Sequence, residues 1–72
     1  MTFDDLVHDI RNSTTKLGHK RAFTAALQAA HRLYEEERQE VGQAEAQERF
    51  AARQAAVAHA RDEWTRTRSV AR

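Results

Sequence analysis

The sequence predicts an all-α protein of three helices, and three observations support this fold class. None of the 72 residues is proline and only two are glycine, although strands need turns that depend largely on these residues. Alanine, arginine, glutamate and glutamine dominate the composition, and all four favour helix. Apolar residues recur at helical rather than alternating spacing. We therefore expect residues 1–72 to form a single small helical domain.

The first predicted helix runs from about residue 3 to about residue 12. Thr2 is a plausible N-cap, and Asp5 stands three residues later, which makes an acidic variant of the capping box. Apolar residues then follow at helical spacing as far as Ile10. This segment should therefore be a short helix with one apolar face.

The run of Asn, Ser and Thr at residues 12–15 is the most turn-like stretch of the chain. These side chains compete for backbone hydrogen bonds and prefer caps to helix interiors. We expect the first helix to end there and a second helix to run from about residue 15 to about residue 41. In an alternative, the first helix continues to Leu17 and Gly18 ends it.

A third helix is predicted from about residue 43 to about residue 67, followed by a frayed tail at 68–72. Gly42 separates the second helix from the third. Each of the two long helices carries apolar residues that recur every seven positions. These are Leu27, Tyr34 and Val41 in the second helix, and Phe50, Val57 and Trp64 in the third.

The relative phase of the two stripes favours a chain reversal at Gly42. In one unbroken helix, at about 100° per residue, Val41 and Phe50 would face roughly opposite sides. A reversal instead brings three layers into register: Tyr34 with Phe50, Leu27 with Val57, and Lys20 and Phe23 with Trp64 and Ala60. We therefore predict an antiparallel helical hairpin. The alternative is one long bent helix in a dimeric coiled coil, because a mid-helix glycine costs only about 1 kcal/mol.

Charge is unevenly distributed although the net charge is only +1. Residues 16–34 carry four basic side chains and no acid, whereas residues 35–48 carry six glutamates against Arg38. A hairpin would therefore have a basic open end and an acidic tip. The start of the chain lacks a basic segment followed by an apolar run, and no apolar stretch approaches about 18 residues. We expect a cytoplasmic protein that does not enter membranes.

Residues that carry enzyme chemistry are scarce. There is no cysteine, no glycine-rich phosphate loop and no nucleophile motif around Ser13 or Ser69. A helical unit of this size also offers little room for an enclosed ligand cavity. We therefore predict that the protein is not an enzyme and has no cofactor.

Two His–Glu pairs, His31 with Glu35 and His59 with Glu63, have the i, i+4 spacing that places both side chains on one helix face. Carboxylate-bridged metal bundles use Glu-x-x-His instead, and that motif does not occur in this chain. We therefore interpret the pairs as surface ion pairs and predict no metal site.

The remaining features favour a protein-interaction module that acts as an adaptor, inhibitor or regulator. Leu33 lies outside the apolar stripe, and alanine-rich faces would let another helix approach closely. Trp64 has two open interpretations, a lid on the core or an interface anchor flanked by Arg61 and Arg68. We expect a partner protein and a homodimer. A host-directed inhibitor encoded by a phage or mobile element is one version of this hypothesis.

The competing hypothesis is a small nucleic-acid-binding regulator. A helix that starts with basic residues presents both side-chain charge and its own positive end to phosphates. The candidate contacts are the basic turn and the C-terminal arginines: Lys16, His19, Lys20, Arg21, Arg66 and Arg68.

Overall fold

The computed structural model describes the backbone of residues 2–70 and the side chains of residues 2–67. It contains α1 (Phe3–Asn12), α2 (Lys16–Val41) and α3 (Gln43–Val70), and each helix packs against the other two. This confirms the all-α class and the helical hairpin with a short N-terminal helix. The third helix extends three residues past its predicted end, so residues 68–70 of the predicted tail are helical. Residues 71–72 lie outside the described part.

The first helix starts with the predicted capping box. The Thr2 hydroxyl accepts a hydrogen bond from the Asp5 N–H at 3.2 Å, and the Asp5 carboxylate accepts one from the Thr2 N–H at 3.1 Å. Hydrogen bonding to the Thr2 backbone N–H, and after it to the Thr2 side chain, lowers the pKa of Asp5 because these bonds favour the charged carboxylate. Two of the free N–H groups at this helix start are thereby satisfied.

The turn between α1 and α2 is short because both helix ends are capped locally. The Ser13 hydroxyl donates to the Asp9 carbonyl at 2.6 Å. The Thr15 hydroxyl accepts from the Gly18 N–H at 2.9 Å and so caps the start of α2. Gly18 therefore lies in the first turn of α2, and the alternative in which it ended the first helix is wrong.

Gly42 alone separates the two long helices. Its φ of 91° and ψ of 163° lie in a region that only glycine adopts readily. Beyond it the chain reverses, and the Tyr34 and Phe50 ring centroids lie 5.4 Å apart within one chain. The predicted layer is thus confirmed, and the alternative of one long bent helix is wrong.

The core lies where α1 crosses the hairpin. It consists of the buried side chains Val7 and Ile10 from α1, Ala26 from α2, and Val57 and Ala60 from α3. The alanines let the helices approach closely because they have almost no side chain to separate the backbones. This packing leaves a groove between α1 and α2 on the surface. None of the described helices is both long and apolar enough to cross a bilayer.

Candidate protein-interaction site

Trp64 lies against the α1–α2 turn and the start of α2. Its ring is half-buried and stacks on the His19 ring, with centroids 3.8 Å apart and planes inclined by 12°. Its indole N–H donates to the Ser13 carbonyl at 2.9 Å. Trp64 therefore fastens the α1–α2 turn to α3.

His19 differs from the predicted phosphate contact because it is only 9% exposed. Its Nδ1 lies 3.2 Å from the Ile10 carbonyl oxygen, and a hydrogen bond there requires the proton on Nδ1. The residues around it in sequence are basic and exposed, which is why the sequence pattern grouped them together. The burial arises from the way the α1–α2 turn folds back against Trp64.

The other predicted contact residues lie in separate places. Arg61 is exposed, and its guanidinium carbon lies 5.2 Å from the centroid of the Phe23 ring, so it covers that ring from α3. Arg66 is exposed near the end of α3. The side chain of Arg68 lies outside the described residues. Exposed basic side chains also lie at the start of α2, at Lys16, Lys20 and Arg21.

Leu33 lies in the groove between α1 and α2, which we call the α1–α2 groove. It consists of two neighbouring open depressions of about 480 Å³ each, which we call the loop half and the tip half. The loop half, next to the α1–α2 turn, is lined by Leu6, Asp9, Gly18, Arg21, Ala22 and Ala25. The tip half, towards the hairpin tip, is lined by Phe3, Asp4, Ala29, Arg32, Leu33 and Glu36, and by Arg53 of α3.

The two halves are neighbours along α2 and share no lining residue. Ala25 and Ala29 are one turn apart on α2, and Phe3 and Leu6 are one turn apart on α1, so the two halves lie about one helical turn apart. At about 1.5 Å per residue, the stretch of α2 from Gly18 to Glu36 is about 27 Å long, and α1, with its ten residues, flanks about 15 Å of it. Its floor is made of half-buried apolar side chains. The stretch that α1 and α2 both flank matches about three turns of an α-helix laid along α2.

Charged side chains at both ends of the groove are not neutralised inside the molecule. Asp9 and Arg21 border the loop half, and Arg32 and Glu36 border the tip half. None of these four forms an ion pair with any residue that the structure describes. Their charges are therefore available to a partner that lies in the groove.

An ion-pair cluster that the sequence pattern missed braces the tip half. The Arg53 guanidinium donates to both oxygens of Glu37, at 2.5 Å and 3.0 Å, and Arg49 donates at 3.0 Å. These bonds, those from Arg53 foremost, lower the pKa of Glu37 to about 2. Arg53 also lies 6.0 Å from the Phe3 ring centroid, so it connects all three helices. The hairpin register could have revealed the cluster, since it places these residues within two turns of one another.

The two His–Glu pairs of the sequence differ in the structure: His59 contacts Glu63, whereas His31 and Glu35 have other partners. His59 Nε2 lies 3.1 Å from Glu63, as the surface-pair interpretation predicts, and Glu63 also accepts from Arg11 at 2.7 Å. His31 instead packs on Phe50, with ring centroids 4.9 Å apart, and Glu35 pairs with Arg38. Among the described residues, no three histidine or acidic side chains converge as metal ligands would.

Comparison of the chain with protein-family models, with curated proteins and with solved structures found no match.

Proposed function

We propose that this chain is a small non-enzymatic interaction module that binds an α-helix of a partner protein in the α1–α2 groove. Through that contact it would act in the cytoplasm as an adaptor, inhibitor or regulator. A host-directed inhibitor encoded by a phage or mobile element is one form of this proposal. The observation that carries it is a pair of neighbouring depressions along α2, about 480 Å³ each, lined by half-buried apolar side chains and bordered by charges that form no ion pair with any described residue.

Helix-in-groove recognition uses these physical features. A partner helix would bury its apolar face against Phe3, Leu6 and Leu33, while Ala25 and Ala29 let the two backbones approach closely. Charges at both ends of the groove would orient the incoming helix, since like-charge contacts are penalised. Leu33, half-buried and central to the tip half, is the expected apolar anchor.

Affinity capture with matched variants tests this proposal. Leu33→Asp places a charge in the groove, whereas Leu17→Asp makes the same change at an exposed position of the same helix, 58% accessible and outside the groove. The tagged wild-type protein and the Leu17→Asp control should retain the same specific partner from the native host, and Leu33→Asp should lose it. Far-UV circular dichroism must show that both variants stay helical. A partner retained equally by all three proteins would contradict the proposal, as would failure to recover any partner.

A second candidate function is nucleic-acid binding at the open end of the hairpin. Its support is that Lys16, Lys20, Arg21 and Arg66 are exposed there, since α2 begins where α3 ends. A gel-shift series across salt concentrations tests it, because phosphate contacts make affinity fall steeply as salt rises. Absence of a retarded band at low salt would remove this candidate.

A further inference from the structure

We infer that the partner helix of the α1–α2 groove is acidic along the edge that faces α2, with two carboxylates about three turns apart that pair with Arg21 and Arg32. This inference rests on the proposed role of the groove as a helix-binding site. It adds the chemistry of the partner, which the apolar lining alone does not specify.

Arg21 and Arg32 lie along one edge of α2. They are eleven residues apart in the sequence. At about 100° and 1.5 Å per residue, they are therefore about 20° apart around the helix and about 16 Å apart along it. Arg21 lines the loop half and Arg32 lines the tip half. One straight helix laid along α2 would thus pass both arginines on the same side.

Both arginines are exposed, and neither forms an ion pair with any residue that the structure describes. Residues 16–34 contain no acidic side chain, so α2 itself does not neutralise this edge. The guanidinium group binds carboxylates and phosphates through paired hydrogen bonds. The edge is therefore complementary to an anionic partner.

The surface between the two arginines selects a protein helix rather than a phosphate backbone. Ala22, Ala25 and Ala29 line the groove between them, and all three are half-buried. This apolar strip matches the apolar face of an amphipathic helix. Helices packed side by side have axes about 8–10 Å apart, and charged residues that flank such a contact pair across it, as in coiled coils.

The acids of the groove determine which edge of the partner is acidic. Asp9 lines the groove from α1, and Glu36 lies one turn beyond Arg32 towards the hairpin tip. A carboxylate facing either of these side chains would be repelled. The acidic edge of the partner must therefore face α2, between Arg21 and Arg32, and its opposite edge must be neutral or basic.

Two synthetic peptides of opposite charge test this assignment. Each is an alanine-based helix of about 18 residues with a leucine stripe, long enough to be helical in isolation. One carries glutamates along one edge of the stripe at the spacing of the two arginines, and the other carries lysines at the same positions. Fluorescence anisotropy at physiological salt should show the glutamate peptide binding the wild type about tenfold more tightly, since two exposed ion pairs replace two like-charge contacts.

Matched double variants locate the preference. Arg21→Glu with Arg32→Glu should reverse it, so that the lysine peptide binds more tightly. Lys16→Glu with Lys20→Glu makes the same change in net charge at exposed positions outside the groove lining, and should keep the wild-type preference. Far-UV circular dichroism checks helicity. If the arginine double variant loses helicity, Arg21→Gln with Arg32→Gln replaces it and should abolish the preference.

Several results would overturn the inference. They are no binding of either peptide, equal binding of both by the wild type, an unchanged preference in the arginine double variant, and a lost preference in the lysine double variant. A DNA duplex that binds the wild type more tightly than the glutamate peptide does would make nucleic acid the occupant. A wild type that is dimeric by light scattering and binds peptide only on dilution would make a second copy the occupant.

Leu33→Asp in the same titration separates this inference from the proposed function. It should lose the glutamate peptide. If the wild type binds both peptides equally and Leu33→Asp binds neither, the groove binds helices without a charge preference, and only the inference fails. If Leu33→Asp binds the glutamate peptide as the wild type does, the site lies outside the groove and the proposed function fails.

Discussion

Replacing Ile10 with alanine should remove a large share of the stability of the whole molecule. Ile10 is fully buried where α1 crosses the hairpin, in contact with core residues of all three helices. The change deletes three carbon atoms, which at about 0.8 kcal/mol each amounts to about 2.4 kcal/mol of lost burial. The remaining cavity raises the cost, and the better helix propensity of alanine returns a few tenths. We expect a loss of about 3 kcal/mol.

This loss is large because a domain of 72 residues has a total free energy of unfolding of only about 4–11 kcal/mol, at 0.05–0.15 kcal/mol per residue. Urea denaturation followed by far-UV circular dichroism measures it. Leu17→Ala is the matched control: it deletes the same number of carbons from a side chain that is 58% exposed, and it should cost less than about 0.5 kcal/mol. Equal costs for the two variants would refute the docking of α1 on the hairpin.

Three further predictions concern the tip, the reversal and the turn. Hydrogen bonds from Arg53 and Arg49 lower the pKa of Glu37 from 4.5 to about 2, so its stabilising contribution is complete above pH 4.5 and is lost as pH falls towards 2. The urea midpoint of Glu37→Gln should therefore depend less on pH in that interval, and parallel profiles for variant and wild type would argue against the cluster. Gly42→Ala should lower the free energy of unfolding by about 1–3 kcal/mol because of the positive φ at this position. Steric contact adds nothing, since a Cβ there meets no atom within 4 Å. An unchanged urea midpoint would mean that the reversal has another geometry. Trp64→Phe keeps a ring on His19 but loses the bond to the Ser13 carbonyl, so it should cost about 1 kcal/mol, and a cost near zero would show that this bond contributes nothing.

The hairpin was predictable because helical geometry converts sequence spacing into direction. Residues seven apart lie on one side of a helix, so Leu27 and Tyr34 on one side of Gly42 and Phe50 and Val57 on the other define two stripes. The stripes can be buried against each other within one chain only if the chain reverses. Local capping by Thr2 was predictable for a similar reason, since its partner lies within one turn.

The environment of His19 was not predictable from spacing. Its neighbours Lys20 and Arg21 are exposed, and nothing local distinguishes the histidine from them. Its burial depends on Trp64, which is distant in sequence and meets it only in the tertiary fold. Whether Trp64 is a lid or an interface anchor depends on the same tertiary contact, which sequence spacing does not reveal.

The groove was only partly predictable. The position of Leu33 outside the apolar stripe and the alanines of α2 indicated an unfilled face. The second wall comes from α1, whose direction across the hairpin is a tertiary property. Only that direction places Asp9 at one end of the groove, opposite in sign to Arg32 at the other.

The most direct test of the account is an amide chemical-shift map of the isotope-labelled chain on addition of the protein recovered by affinity capture. The account predicts that the largest shifts fall along the α1–α2 groove, at Leu6, Ala22, Ala25, Ala29 and Leu33. Shifts concentrated instead at Lys16, Lys20 and Arg66, or along the exposed face of α3, would contradict the central claim that this groove is the docking site.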